Sequence, residues 1–341
     1  MMPVLATRIA RPSSGAISEA AAVLAAGGLV AFPTETVYGL GADAANDCAV
    51  ARLYAAKERP SFNPLIAHVA DITVARHLAR FDAEALKLAD AFWPGPLTLV
   101  LPRLQTCPVG QLATAGLETI AVRVPDHPVA RDILAAFGKP VVAPSANRSG
   151  RVSPTSAQHV QADLAGRIDF IVDDGASPLG VESTILSCVG RTALLRPGAI
   201  PRVAVERLLG REIGIATVAD EAADGQARPI APGMLVSHYA PRAALRMNAV
   251  TVSPGEALLA FGPTLPQDAG NALTILNLSG RGELIEAAAN LFNYLRVLDG
   301  SGTGSIAVMP VPEEDLGEAI NDRLRHAAAP RLNATRPQAA G

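Results

Sequence analysis

The feature that most constrains the fold is a regular alternation of helix-like and strand-like segments over the first two hundred residues. The strand-like apolar runs are Leu29 to Phe32, Leu65 to His68, Leu97 to Leu101, Thr119 to Val124 and Val141 to Ala143. Helix-like segments begin at Ser18, at Asn46 with Asp47, at Asp82 and at Pro128. This alternation is typical of an α/β domain, and we expect an α/β fold.

The length of the chain and a change of composition predict two domains. The chain has 341 residues, 49% of them hydrophobic, which exceeds the usual size of one domain. We expect a first α/β domain over 1–205, a linker rich in Ala, Gly, Pro and acids over 206–241, and a small α/β domain over 242–341 with a disordered tail. In that second domain, strands are expected at Ala257 to Phe261 and Leu273 to Leu278, and helices at Glu283 to Leu298 and near Leu316 to His326.

Charge and cysteine usage exclude several classes of protein. The formal net charge is −3, so strong sequence-independent binding of nucleic acid is not expected. The three cysteines have no metal-ligand spacing and indicate reduced thiols. The apolar stretch from Ala20 to Phe32 is too short to span a bilayer and follows no basic leader. We therefore expect a cytoplasmic protein.

The familiar nucleotide and hydrolase motifs are missing, and two polar loops stand in their place. The sequence has no GxxxxGK[ST], no well-placed GxGxxG, no GxSxG and no HExxH. The loops PTETVYGLG (33–41) and PSAN (144–147) each follow an apolar strand, where open α/β sheets usually place ligands. Threonine hydroxyls in the first loop suit a small zwitterion, and we expect Gly39 and Gly41 to let the ligand approach the backbone.

Several charged residues have both an ordinary and a functional interpretation. Lys57 and Arg59 lie two positions apart at a helix end, where cations are favoured by the helix dipole in any case. His68 ends a strand and is by itself more often structural than functional. Arg123 lies on an otherwise apolar strand and needs a carboxylate partner, from either the protein or a ligand.

Taken in order, these motifs resemble the long, two-domain form of the YrdC-type threonylcarbamoyl-AMP synthase family. The markers are KxR at 57–59, NPL at 63–65, SxN at 145–147 and RPG at 196–198, followed by SHYAP at 237–241. The resemblance extends from about residue 16 to 201 and from 237 to about 328. It implies a YrdC-like twisted mixed sheet with flanking helices, plus a smaller Rossmann-like α/β domain.

The resemblance also implies two sets of site residues. The L-threonine site would consist of Thr36, His68, Arg123, Ala143 and Ser183. The ATP site would consist of Lys57, Arg59, Asn63, Thr119, Ser145, Asn147, Ser153, Arg196 and Tyr239, with Lys57 and Arg59 in the catalytic role. SHYAP would fold over the pocket as a lid.

The implied reaction is nucleotidyl transfer. The threonine amine captures carbon dioxide, and the resulting carbamate attacks the α-phosphorus of ATP and expels pyrophosphate; the product modifies an adenosine of tRNA. Mg²⁺ is expected on ATP, held by phosphate oxygens and water, because no acidic metal cage is visible. The implied partners are L-threonine, bicarbonate or CO2, ATP and a downstream tRNA threonylcarbamoyl transferase, with at most a weak tRNA contact and no membrane.

Two alternatives from other classes stay open at this point. The first is an RNA-binding module that uses a cationic YrdC-like surface. The second is a carbamoyl-transfer enzyme with a related domain, which would normally carry zinc-finger-like cysteines and acylphosphatase segments that this sequence lacks.

Overall fold

A computed structural model describes residues 5–216 and 239–330 and places them in two α/β units. Three predictions lie outside the described residues: most of the linker, Ser237 and His238 of SHYAP, and the tail after Pro330. Within the described ranges, no helix is both long and apolar enough to cross a membrane.

The first unit is a mixed sheet with helices on its faces. Its elements in chain order are β1 (Arg8–Ala10), α1 (Ser14–Ala25), β2 (Val30–Phe32), β3 (Gly39–Asp43), α2 (Asp47–Lys57), β4 (Ile66–His68), α3 (Ile72–Arg76), α4 (Ala83–Phe92), β5 (Leu97–Pro102), α5 (Gln111–Thr114), β6 (Thr119–Arg123), α6 (Pro128–Phe137), β7 (Val141–Val142), α7 (Ala157–Leu164), β8 (Phe170–Val172), β9 (Thr184–Ser187), β10 (Ala193–Arg196), α8 (Arg202–Leu209) and β11 (Gly214–Ile215).

Local capping chemistry explains where these helices begin. The side chains of Asn46 and Asp82 accept hydrogen bonds from the first turns of α2 and α4, and Pro128 opens α6, as the sequence predicts. The prediction for α1 was wrong: Ser18 lies inside the helix, and Ser13 is the N-cap, accepting from Ala16 N. Because the helix begins at Ser14, the backbone N–H groups without a helical partner lie next to Ser13, whereas those near Ser18 already bond within the helix.

The segment predicted as a glycine-bearing ligand loop is in part a central strand. Gly39 and Gly41 lie on β3, which is antiparallel to both β2 and β7. A Cβ on Gly41 would lie 2.8 Å from the Phe32 ring and 3.0 Å from Val141 Cγ1. The small residue therefore lets three strands pack, rather than letting a ligand approach.

Strand order in the first sheet is β1, β8, β2, β3, β7, β4, β6, β5, β9, β10, β11. β4 pairs parallel with β6 but antiparallel with β7, and β9 pairs antiparallel with β10. Because the sheet contains both parallel and antiparallel neighbours, one edge of it carries the loops that follow some strands together with the residues that precede others. The site is therefore not confined to one edge of the sheet.

The second unit is a smaller, parallel sheet with two long helices. Its elements are β12 (Ala244–Arg246), β13 (Ala257–Ala260), a 3-10 helix (Ala269–Asn271), β14 (Ile275–Asn277), α9 (Leu284–Gly300), β15 (Ser305–Val308) and α10 (Leu316–Ala328). Its strand order is β12, β15, β13, β14, and every pair is parallel. This agrees with the expected Rossmann-like unit.

The two units share one apolar core. Val37, Val152 and Val181 of the first unit belong to the same buried cluster as Leu291 and Phe292 of α9. Close approach is built in at Gly180, where an added Cβ would lie 2.3 Å from Ala288 O. Burial of apolar surface between the units favours a fixed docked arrangement.

Candidate active site

One face of the first sheet carries a small apolar floor with polar side chains at its ends. Ile66, Val100, Ala121, Ile185 and Leu195 form this floor as a separate buried cluster. Side chains two positions apart on a strand share a face. His68 therefore lies on the face of Ile66, Arg123 on that of Ala121, and Ser183 on that of Ile185.

A cavity opens over this floor, and most of the residues predicted for the site line it. Its walls are formed by Thr36, Val37, Arg59, Ile66, His68, Arg123, Ala143, Pro144, Ser145, Glu182, Ser183, Arg196 and Tyr239. The predicted residues Lys57, Asn63, Thr119, Asn147 and Ser153 are not in its wall. The structure thus brings residues from six strand ends and from the second unit to one place.

A directional chain of hydrogen bonds links Arg123 to the PTET loop. Arg123 Nη1 donates to Thr36 Oγ1 at 3.0 Å, and Thr34 Oγ1 donates to Val37 O at 2.6 Å. The contact of 2.7 Å between Thr36 Oγ1 and Thr34 Oγ1 must then use the Thr36 proton. Thr36 can therefore only accept a further hydrogen bond from a ligand.

Glu35 supplies the carboxylate partner that the sequence requires for Arg123. Glu35 Oε1 lies 2.7 Å from Arg123 Nη2, and both side chains are buried. The N–H is not directed at the oxygen, and neither atom makes a hydrogen bond to a described residue. The pair is thus held by charge at close range, and Glu35 was not among the predicted site residues.

His68 is neutral and has one free ring nitrogen. Burial, together with the nearby Arg123, lowers the pKa of His68 to about 3. His68 Nδ1 lies 3.2 Å from Ile66 O, which can only accept, so the proton is on Nδ1. His68 Nε2 is consequently an acceptor facing the cavity side of the sheet.

Ser183 connects the floor to Arg196. Arg196 Nη2 donates to Ser183 O at 2.8 Å and to Ser183 Oγ at 3.2 Å. The Thr98 and Ser183 hydroxyls are 2.8 Å apart. Thr98 is a further polar residue of this face that the sequence prediction missed. Its signal in the sequence is a single hydroxyl side chain within the otherwise apolar strand β5.

Arg59 is a buried cation, where the sequence indicated a cation at the surface end of a helix. Only 9% of the residue is exposed, and α2 ends at Lys57 because Glu58 is left-handed. Arg59 Nη2 donates to Pro64 O at 3.1 Å, whereas Nε has no hydrogen-bond partner among the described residues. Burial, with repulsion from Arg196, lowers the pKa of Arg59 to about 10.

Lys57 lies beneath the loop that carries the SxN motif. Its Nζ donates to the carbonyl oxygens of Ser145 and Asn147, and burial, aided by Arg59, lowers the pKa of Lys57. The Asn147 amide donates to Arg148 O and Arg151 O and accepts from Ser145 Oγ. Both residues therefore hold Ser145 in place on the cavity wall.

Asn63 and Thr119 lie at the opposite end of the floor from Arg123. The register pairs Ile66 with Ala121, and continuing it by two residues sets Thr119 beside Pro64. Asn63 is fully buried, and neither its amide nitrogen nor its amide oxygen has a hydrogen-bond partner among the described residues. Buried amides are nearly always hydrogen-bonded, so Asn63 is a candidate for binding a polar group of a ligand.

The second unit contributes Tyr239 and Arg323 to the site. Tyr239 is 1% exposed, stacks on Phe292 with 5.6 Å between ring centroids, and lies 5.3 Å from the Arg323 guanidinium. Arg323 Nε pairs with Glu182 at 2.8 Å, and Ser153 donates to the same carboxylate at 2.6 Å. The sequence prediction missed both Glu182 and Arg323.

No group of three or more His, Cys, Asp or Glu residues within the described ranges could hold a metal ion. The carboxylate of Glu182 in the cavity wall, and that of Glu35 next to Thr36 in the chain, each lie against a buried arginine. A cation at this site would have to be held mainly by its ligand's oxygens.

Comparison with known proteins places these features in context. A family model described as "Telomere recombination" (Sua5_yciO_yrdC) matches residues 22–198, and one described as "Threonylcarbamoyl-AMP synthase, C-terminal domain" (Sua5_C) matches residues 200–329. The threonylcarbamoyl-AMP synthase of Bacillus subtilis is 43% identical over 329 residues, which span 93% of this chain and 94% of that protein.

Solved structures show the same likeness. The crystal structure of Pyrococcus abyssi Sua5 complexed with L-threonine is 38% identical, with a TM-score of 0.82 over 95% of this chain and 97% of that one. The E. coli protein YciO, at 21% identity, has a TM-score of 0.50 over 58% of this chain and 96% of its own. This second match shows a shared fold alone.

Proposed function

The chain belongs to the Sua5/YrdC family of threonylcarbamoyl-AMP synthases, and we propose that its cavity performs that reaction with the residues described above. The enzyme is a nucleotidyltransferase that forms threonylcarbamoyl-AMP and pyrophosphate from L-threonine, bicarbonate or CO2, and ATP. Its product supplies the threonylcarbamoyl group for an adenosine of tRNA.

The observation that carries this proposal is the distribution of charge in one cavity. One end has Arg123 in its wall, paired behind the wall with Glu35, and the neutral acceptor His68 beside it. The other end holds the buried cations Arg59 and Arg196. The first end suits a zwitterionic amino acid, and the second suits a polyphosphate.

L-Threonine binds at the first end. Its carboxylate pairs with Arg123, and its side-chain hydroxyl donates to His68 Nε2. Thr36 Oγ1 accepts from the amine, and Ser183 contacts the polar side of the substrate. Ala143 closes the pocket beside the methyl group, since its backbone is fixed by a 3.1 Å bond from Ala143 N to Ile66 O.

ATP binds at the second end. Arg59 and Arg196 hold the phosphates, and the Lys57 ammonium has one donor left beyond its two loop carbonyls. The unpaired Asn63 amide offers a donor and an acceptor, which match the edge of adenine. Thr119, Ser145, Ser153 and Tyr239 complete this set, with Asn147 orienting Ser145.

Catalysis depends on position and charge. The carbamate oxygen of N-carboxythreonine attacks the α-phosphorus in line with the leaving pyrophosphate, and Arg59 and Arg196 offset the charge that develops on the phosphate oxygens. Mg²⁺ carried in on ATP, bound by phosphate oxygens and water, would add charge compensation. The Glu35 and Glu182 carboxylates each lie against a buried arginine, so phosphate oxygens and water would supply most of the cation's ligands.

The second unit closes the nucleotide end of the cavity. Tyr239 of SHYAP lies in the cavity wall with its ring packed on α9. Movement of this segment would admit ATP and release product, which is the lid role predicted from the sequence. Exclusion of water by the closed lid protects the mixed anhydride product.

Outside the cavity, we propose transfer of the product to a cytoplasmic tRNA threonylcarbamoyl transferase. Direct contact with tRNA is limited to a weak encounter, because the chain has a net charge of −3.

Incubation with ATP, bicarbonate and single amino acids tests the reaction. We expect pyrophosphate release only when threonine and bicarbonate are both present, with threonylcarbamoyl-AMP detected by mass spectrometry. Pyrophosphate release that is independent of threonine, or none under any condition, would refute the proposed function.

A further inference from the structure

Glu35 is a buried carboxylate that is paired with Arg123 by charge, adjoins Thr36 and Arg123 of the cavity wall, and accepts no hydrogen bond from a described residue. Its side chain is 9% exposed, and it stands between Thr34 and Thr36 in the loop that follows β2. Neither Oε1 nor Oε2 makes a hydrogen bond to a described residue. Buried carboxylates normally collect several hydrogen bonds, so this one is arranged to receive a donor from outside the protein.

The charged groups around Glu35 leave one cation and one anion. Arg123 faces it from β6, His127 lies near it at the start of α6, and His68 on β4 is the register partner of Arg123. Burial lowers the pKa of His127 and, with Arg123, that of His68, so both rings are uncharged near pH 7. Asp174, which follows β8, lies 3.8 Å from His127, and Asp126 adjoins His127 in the chain.

This pair of charges complements a zwitterionic α-amino acid. A carboxylate that meets Arg123 leaves the ammonium group of the same molecule close to Glu35, because an α-amino acid separates the two groups by one carbon. Thr36 Oγ1 faces the same region and has only an acceptor lone pair to offer. The site therefore presents two acceptors, one of them charged, to the ammonium.

We propose that Glu35 binds the ammonium group of L-threonine and accepts a proton from it, freeing the amine to attack carbon dioxide. This inference rests on the proposed function. It assigns a general base to the formation of the carbamate, the step that precedes nucleotidyl transfer. Arg59 and Arg196, at the cationic end of the cavity, take no part in that earlier step.

The step balances in atoms and charge with bicarbonate as the carbon source. One ammonium proton moves to Glu35, and bicarbonate loses hydroxide to give CO2. The nitrogen lone pair forms the N–C bond, one C=O pair moves onto oxygen, and the second nitrogen proton joins the hydroxide as water. The products are the carbamate, water and protonated Glu35, which releases its proton to solvent before the next turnover.

Glu35→Gln tests this role through the pH profile. Threonine's α-ammonium is protonated near pH 7 and loses its proton in solution only at clearly alkaline pH, above the range of a peptide α-amino group, because the neighbouring carboxylate stabilises its charge. We expect kcat/KM for threonine to fall roughly 10²-fold at pH 7, to rise about tenfold per pH unit, and to approach the wild-type value at high pH. A deficit that stays constant across the pH range would overturn the proposal.

Two companion variants keep the test interpretable. Glu35→Asp retains the carboxylate and should keep the wild-type shape of the profile at a reduced rate; if it behaves like the Gln variant, the proposal fails. Glu84→Gln removes a surface carboxylate that pairs with Arg211, and should match wild type at every pH. Thermal unfolding of each variant establishes that it is folded.

The reverse reaction distinguishes a general base at Glu35 from a residue that only maintains the structure of the site. Pyrophosphorolysis of threonylcarbamoyl-AMP to ATP breaks the bond between the carbamate oxygen and phosphorus and requires no proton from an ammonium group. Glu35→Gln should retain this activity while losing forward activity, and an equal loss in both directions would overturn the proposal. Wild-type enzyme inactive in both directions would instead refute the proposed function itself.

Discussion

Arg323→Met removes a buried charge that connects the second unit to the cavity. Arg323 is fully buried, and its guanidinium contacts Glu182 Oε2 at 2.8 Å, Asp322 Oδ2 at 2.6 Å and Pro197 O at 2.9 Å. Methionine has an apolar side chain of similar stem length and no charge. The substitution therefore retains the apolar packing near Tyr239 and removes these polar contacts.

The loss of stability should be large because Glu182 stays buried. Breaking a buried ion pair by removing one partner costs about 3–5 kcal/mol, which corresponds to a fall of roughly 10 °C in Tm for units of this size. Burial opposes the charged form of Glu182, but Arg323 and Arg196 outweigh it, so the pKa of Glu182 lies below its ordinary value.

The difference in unfolding free energy between wild type and Arg323→Met should depend on pH. A depressed folded-state pKa contributes stability above the unfolded value of about 4.3, and that stability is lost as the pH falls through the folded pKa. Without Arg323, Glu182 takes up a proton more readily. The gap in unfolding free energy between wild type and variant should therefore be greatest at neutral pH and should narrow on acidification.

The assay compares Arg323→Met with Arg325→Met on the same helix. Arg325 is more than half exposed and pairs with Glu313 at the surface, so its loss should cost at most about 1 kcal/mol. Because Arg323 lies against Tyr239 and holds Glu182, its loss should raise KM for ATP more than KM for threonine. If the two variants are indistinguishable in stability, or if Arg323→Met keeps the wild-type KM for ATP, the reasoning is wrong.

Three further predictions follow from the cavity and the contact between the units. Arg59→Ala should abolish ATP turnover without lowering Tm, because it removes a buried cation that no carboxylate of a described residue neutralises; a large loss of stability with intact turnover would contradict this. Valine should be a far poorer substrate than serine in the pyrophosphate assay, because an absent hydroxyl leaves His68 Nε2 unpaired, whereas an absent methyl costs only a packing contact; equal turnover of valine and threonine would contradict it. Gly180→Ala places a Cβ 2.3 Å from Ala288 O and should reduce both Tm and threonylcarbamoyl-AMP formation, whereas Gly270→Ala, which meets open space, should do neither.

The sequence predicts most of this fold because apolar runs and caps are local signals. The strands at 30–32, 66–68, 97–102 and 119–123 lie where apolar runs stand, and α2 and α4 begin after the predicted caps. β3 was missed because its two glycines resemble a loop. The requirement for a small residue at Gly41 comes from the Phe32 ring on β2 and from Val141 on β7, and β7 lies far along the chain.

Residue types at strand ends also predict much of the cavity wall, but not how the residues pair. Arg123 needs a carboxylate, and the sequence leaves open whether protein or ligand supplies it. Glu35 lies 88 positions earlier in the chain (123 − 35), and only the pairing of β2, β3, β7, β4 and β6 brings the two together. Such pairing is set by non-local contacts, which a single sequence does not encode in any local pattern.

The contact between the units carries a sequence signal of a different kind. On α10, residues 319, 320, 323, 324 and 327 recur at the spacing of an apolar stripe, and all are buried. Arg323 is the one charged residue in that stripe, just as Glu182 is the acid that leads into the buried strand β9. A charge in an apolar stripe must find an opposite charge when it is buried. Two buried charges of opposite sign, Glu182 in the first unit and Arg323 in the second, therefore indicate that the stripe of α10 faces the first unit and not solvent. The Arg323 guanidinium in turn lies against the Tyr239 ring, at the nucleotide end of the cavity.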